Sequence, residues 1–114
     1  MRFYVLLTIW ILLIALTGCS KTKGDSPDKA GKTHIVEIKK MKFIPSEITV
    51  APGDSVQWIN RDIVAHNVTE EFSTDWKSPD LKIGESFTLQ VNNTESYLCT
   101  LHPVMTGRII LKGD

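Results

Sequence analysis

No charge of either sign dominates this chain: 13 basic side chains face 13 acidic ones over 114 residues. A protein that binds nucleic acid by neutralising phosphates carries a basic excess, so that class is excluded. Disorder throughout is excluded as well, because 42% of the residues are apolar and the net charge is zero. A long hydrophobic run is missing too. The uncharged apolar stretch after Arg2 extends from Phe3 to Leu16, 14 residues, short of the roughly 20 that a membrane-spanning helix needs. It has the length of a signal-peptide core. Past residue 34 no segment keeps apolar residues at helical spacing for three turns, and no internal repeat occurs.

The apolar run ends in Leu16-Thr17-Gly18-Cys19, and a polar stretch begins at Ser20. These four residues resemble the bacterial lipobox, in which cleavage precedes a cysteine whose thiol receives a diacylglyceryl group. The resemblance implies a signal peptide over 1–18 and a lipidated Cys19 that anchors the chain to a membrane of the bacterial cell envelope, facing periplasm or exterior. With two membranes, Ser20 in place of an aspartate leans toward the outer one. Ser20 to Thr33 contains no large apolar residue and reads as a solvated tether over 19–33. The folded domain is expected over 34–114, about 80 residues, enough for one small core to which a bound metal would add stability. Without Arg2 the mature chain is nearly neutral.

Two cysteines in an exported chain ordinarily pair. If Cys19 is acylated, Cys99 is left as a free thiol in an oxidising compartment, where a metal would protect it.

Period-two alternation recurs along the domain. Val36 and Ile38, Ile48 and Val50, Val56 and Trp58, Phe87, Leu89 and Val91, Tyr97 and Cys99, and Ile109 and Leu111 each share one face of a strand. Pro52-Gly53-Asp54 and Asn92-Asn93-Thr94 mark turns, and Gly84 and Gly107 mark two further bends. Seven to eight short strands make an all-β sandwich. The interval from Asn60 to Asp80 lacks clear alternation and is read as a loop with a single helical turn.

Near the C-terminus Cys99, His102 and Met105 stand at three-residue steps. A tight loop can turn a thiolate, an imidazole and a thioether at this spacing toward one centre, and that soft set suits copper better than any hard cation. His66 can supply a fourth ligand. Singly, Cys99 and Met105 would be ordinary core residues and the histidines ordinary satisfied ones, which is how His34 is read. Together they point to one copper ion per chain.

The pattern Phe43-x-Pro45-x-x-Ile48-x-Val50-x-x-Gly53-Asp54-x-Val56-x-Trp58-x-Asn60, then His66-Asn67-Val68, Leu81-x-x-Gly84-x-Ser86-Phe87 and Tyr97-x-Cys99-x-x-His102-Pro103-x-Met105-x-Gly107 resembles the cupredoxins of the plastocyanin and amicyanin group. The short gaps beside His102 are similar to amicyanin. Asn93 to Ser96 lacks a glycine often found there. The resemblance implies a Greek-key sandwich, three strong ligands in His66, Cys99 and His102, and a weak axial one in Met105. It implies that Asn67 ties the two ligand segments together and brings its N–H to the Cys99 sulfur. Leu101, having an N–H where proline would have none, is expected to turn it to the same sulfur.

The activity implied is outer-sphere transfer of one electron between a redox-protein donor and an acceptor met transiently by a monomer. Entry is expected through the His102 edge, inside an apolar rim of Val64, Ala65, Pro103 and Val104. Copper storage or delivery is the alternative, but with three methionines in all the chain has no Met-rich relay for Cu(I). An enzyme is not expected, for want of a second metal site and of an acid–base pair near the ligands. A metal-free interaction sandwich would leave the ligand set to chance.

Overall fold

The computed structural model describes residues 31–114, so the expected signal peptide, Cys19 and nearly all of the tether lie outside the described residues. Within them the alternating segments become strands: β1 (Thr33–Lys39), β2 (Lys42–Ile44), β3 (Glu47–Val50), β4 (Ser55–Asn60), β5 (Thr69–Glu70), β6 (Ser86–Gln90), β7 (Glu95–Cys99) and β8 (His102–Leu111). They form two four-stranded sheets, ordered β2-β1-β4-β6 and β3-β8-β7-β5. Each sheet is mixed, because β1 runs parallel to β4 and β3 parallel to β8 while the other neighbours are antiparallel. The inner faces supply the core. Val36, Ile38, Phe43, Val56 and Trp58 come from one sheet, and Val50, Tyr97, Cys99, Ile109 and Leu111 from the other.

The strand positions match the alternation because each buried face is continuous with its neighbour's. Trp58 in β4 is fully buried, and Phe87 pairs directly opposite it from β6. Being on an edge strand, Phe87 and Leu89 are only partly covered, whereas Val91, just past that strand, is buried. Gly53 takes a positive φ of 84° in the turn after Pro52.

Two expectations are corrected. The segment from Asn60 to Asp80 contains no helical turn; among the described residues there is no helix at all. It is instead drawn into the sheet by the short β5 and by isolated bridges of His66 with Leu81 and Thr69 with Lys77. Polar side chains of the segment supply the partners that a helical turn would have supplied, as when the Ser78 hydroxyl accepts the Val68 N–H. Gly107 is not a bend. It lies inside β8 opposite Tyr97, and a Cβ there would collide with the Tyr97 ring. A side chain is absent because the aromatic ring occupies its place.

Candidate metal centre

His66 is fixed from both sides. Its backbone exchanges hydrogen bonds with Leu81, N–H to O at 3.1 Å and O to N–H at 2.7 Å, and its Nε2 lies 2.9 Å from Asp62 Oδ2. A carboxylate at Nε2 favours the proton on that nitrogen, which leaves the Nδ1 lone pair free to bind a metal. Burial pushes the Asp62 carboxyl up, but the Met41 and Lys40 N–H groups and the His66 imidazole outweigh it and hold the acid below its ordinary range. The carboxylate therefore stays charged where it faces the ring.

Cys99 and His102 come from a hairpin. β7 and β8 pair as far as Leu98 with Thr106, then jump to Cys99 with His102. Pro103, Val104 and Met105 are left opposite no residue of β7, a bulge at the end of the ladder. Thr100 and Leu101 close the turn. The result brings three donor atoms together: Cys99 Sγ stands 3.9 Å from His66 Nδ1 and 3.9 Å from His102 Nδ1, and all three lie within 4.8 Å of one another. His66 and Cys99 are fully buried and His102 partly exposed. Met105, buried in β8 as the last residue of the bulge, belongs to the same end of the sandwich.

Asn67 spans the two segments. Its N–H is 3.4 Å from Cys99 Sγ. Its Oδ1 accepts the Thr100 N–H at 2.9 Å, and its Nδ2 donates to Thr100 Oγ1 at 2.7 Å and Asp80 Oδ1 at 3.0 Å. Leu101 differs from expectation: among the described residues it donates no hydrogen bond to the sulfur. It is the outer residue of the two-residue turn, 46% exposed, and the amide at the sulfur comes from the other segment instead.

Of the rim residues, Val104 is 91% and Val64 43% exposed; Pro103 is exposed and Ala65 only half-buried. Ile63 and Leu101, not anticipated, are exposed apolar residues in the same two loops. Sequence reasoning also missed Asp62 and Asn60. Asn60 is fully buried, donates to Val64 O at 2.9 Å and Leu81 O at 2.8 Å, and accepts the Asp62 N–H, so it shapes the loop that presents His66. An acid four residues before a candidate ligand was the available signal.

A pair of imidazoles, a buried thiol and a thioether at the same pole fit copper, a borderline-to-soft metal, and offer no oxygen donor to a hard one. His34, in contrast, lies far from the cluster and binds Asp54 Oδ2 at 2.8 Å.

The profile of the copper binding proteins of the plastocyanin/azurin family matches residues 30–112. Amicyanin from Paracoccus denitrificans is 34% identical over 108 residues, spanning 86% of this chain and 82% of its own length. Amicyanin from Paracoccus versutus is 34% identical over 105 residues, 85% of this chain and 78% of its own. Among solved structures, a single-substitution variant of amicyanin with Cu(I) superposes with a TM-score of 0.65 at 32% identity, over 70% of this chain and 82% of that one. A copper-containing nitrite reductase from Thermus scotoductus shares the fold alone: TM-score 0.64, 20% identity, 22% of its length.

Proposed function

The chain belongs to the plastocyanin/azurin family of copper-binding proteins, and on that premise we propose that its copper is held by His66, Cys99, His102 and Met105. It is an electron carrier and not an enzyme, with one copper per chain. When bound, copper supplies the chemistry, one electron taken up or released between Cu(I) and Cu(II). The residues of the chain supply everything else. His66 is oriented by Asp62, Cys99 is kept dry and receives the Asn67 N–H, and His102 reaches the surface from the hairpin tip. A ligand set fixed by two sheets rearranges little when its metal changes charge, which favours fast transfer.

The observation that carries this reading is the pair of imidazole Nδ1 atoms, each 3.9 Å from the Cys99 sulfur. Partners are redox proteins met briefly at the rim of Val64, Ala65, Pro103 and Val104, with Ile63 and Leu101 extending it. The lipobox-like Leu16-Thr17-Gly18-Cys19 supports a lipid anchor on Cys19 and a place in the bacterial cell envelope. Two acyl chains give stable membrane attachment where one does not.

Adding Cu(II) to the protein tests the site: an intense blue band and reversible voltammetry are expected, and Cys99→Ser should abolish the colour. A blue Cys99→Ser protein would overturn the ligand assignment. Cys19→Ala tests the anchor, with release from the membrane fraction expected and retention at unaltered size counting against it.

A further inference from the structure

The hairpin of β1 and β2 carries charges in an arrangement that folding does not explain. Lys39 stands directly opposite Lys42, and both are exposed. On the other side of β1, the pairing with β4 runs to Ile38 opposite Asn60 and is extended by the Arg61 N–H, which donates to Ile38 O at 2.8 Å. Arg61 therefore comes next to Lys39. Its Nε lies 3.5 Å from the carboxylate of Glu37, which shares the outer face of β1 with Lys39. Lys42, Lys39 and Arg61 thus form a row of cations across neighbouring strands, about 4.8 Å per step. Lys40 adds a fourth in the turn.

Like charges directly opposite one another destabilise a sheet. The nearby acids offset the cations only in part: Glu37 meets Arg61 and Asp62 lies at the Lys40 turn, two carboxylates against four cations, which leaves an excess of two positive charges. Lysine on β2 alone would be ordinary protection of an edge strand. Lys39 lies inside the sheet and Arg61 beyond the end of β4, and neither guards an edge.

The turn is also joined to the site. Lys40 and Met41 both take positive φ, 53° and 61°, a conformation that costs energy in residues with a Cβ. Asp62 holds them there, accepting the Lys40 N–H at 2.8 Å and the Met41 N–H at 3.0 Å, while its Oδ2 also meets His66 Nε2. One carboxylate connects the basic surface to a copper ligand.

We propose that Lys39, Lys40, Lys42 and Arg61 form a second docking surface, beside the apolar rim, for an acidic redox protein. The inference rests on the electron-carrier reading and adds the charge of one partner to it. Charge complementarity selects that partner, and the attraction steers the encounter. An anionic membrane would also meet a basic patch, but it would have no use for a link to His66.

Hexacyanochromate(III), a redox-inert paramagnetic trianion, tests the surface by NMR. Amide resonances of Lys39 to Lys42 and Arg61 are expected to broaden, about fivefold less in a Lys39→Gln/Lys42→Gln variant and unchanged by Lys32→Gln/Lys112→Gln at the opposite end of the sandwich. With reduced flavodoxin, an acidic one-electron protein, as reductant, Lys39→Gln/Lys42→Gln should slow the second-order reaction about fivefold at low ionic strength, a difference that salt removes. The visible spectrum and potential should not move. Broadening centred on Lys32 and Lys112, or a flavodoxin rate indifferent to the Lys39 and Lys42 changes, overturns the proposal. So does protection of the row by phosphatidylglycerol vesicles without an effect on the flavodoxin rate, which would assign the surface to a membrane. The hexacyanochromate measurement also works on metal-free protein, so failure to turn blue would strike the electron-carrier reading alone.

Discussion

Asp62 Oδ2 and His66 Nε2 stand 2.9 Å apart, four residues from each other in the loop after β4. The fully buried imidazole has its outer nitrogen occupied by a carboxylate and its inner one turned to the Cys99 sulfur. Asp62→Ala frees the ring to rotate and removes the acceptor that fixes its proton. Copper affinity is expected to fall about 10- to 100-fold with the blue band retained, as read by competition with a chromophoric chelator. Unchanged affinity would show that Leu81 alone orients the ring.

Asn67→Ala acts differently. It leaves the backbone N–H at the sulfur but removes both bonds to Thr100, the one to Asp80 and the one accepted from the Thr69 hydroxyl. Left without its partner, the Thr100 N–H should cost about 1–3 kcal/mol of stability in the metal-free protein, measured by urea unfolding. A loss seen only with copper bound would show that the metal, not the side chain, holds the two segments together.

Leu101→Pro probes the hairpin turn. Because the sulfur takes its amide hydrogen bond from Asn67 and none from Leu101, removing the Leu101 N–H is expected to leave the potential and the spectrum as they are. A lowered potential by voltammetry would show that this amide reaches Cys99 once copper is in place.

Gly107→Ala forces a methyl group into the ring of Tyr97, which is packed edge-on against Phe43 at 4.9 Å and Trp58 at 5.2 Å. Overpacking of this kind should cost about 1–3 kcal/mol, seen as a lower Tm with unchanged colour. A Tm equal to that of the parent would mean that the aromatic cluster is loosely held.

At the opposite end of the sandwich, the His34 imidazole and the N–H groups of Lys32 and Ala51 lower Asp54 to about 2 from 3.8. Because the folded value lies below the unfolded one, the stabilisation is complete above the unfolded pKa and is lost as pH falls toward the folded value. Unfolding midpoints should therefore drop between about pH 4 and pH 2, and less steeply in Asp54→Asn. Glu70, likewise lowered to about 2 from 4.5 by Ser73 and the neighbouring amides, accounts for part of the drop that remains. Equal slopes in the two proteins would remove Asp54 from the account.

The sequence carried the sandwich plainly wherever one face of a strand is buried, as at Val36 and Ile38 or Tyr97 and Cys99, because burial imposes the period of two. The cluster of Cys99, His102 and Met105 was legible for a different reason: its members lie close together along the chain, at three-residue steps, and their donor chemistry is unusual in combination. Asp62 was not legible. Two of its three partners come from a distant turn, and nothing in Lys40-Met41 announces a turn with positive φ, for which glycine or asparagine is the usual sign. Asn60 was hidden similarly, since an asparagine at a strand end reads as a turn residue until its carbonyl partners are known. The segment up to Asp80 misled because its order comes from two isolated bridges and from the pairing of the two-residue β5 with distant β7, which leave no local periodicity.

The parallel pairings have a kinetic consequence. Glu47 lies opposite Arg108 and Thr33 opposite Ser55, so each sheet closes only after distant parts of the chain have found each other, and such topologies fold slowly. His66 and Cys99 share no hairpin; they meet when the second sheet is complete. Completion of the ligand set by His66 is thus among the last events available to the chain, and the growth of the blue colour after refolding from urea would time the docking of the His66 loop.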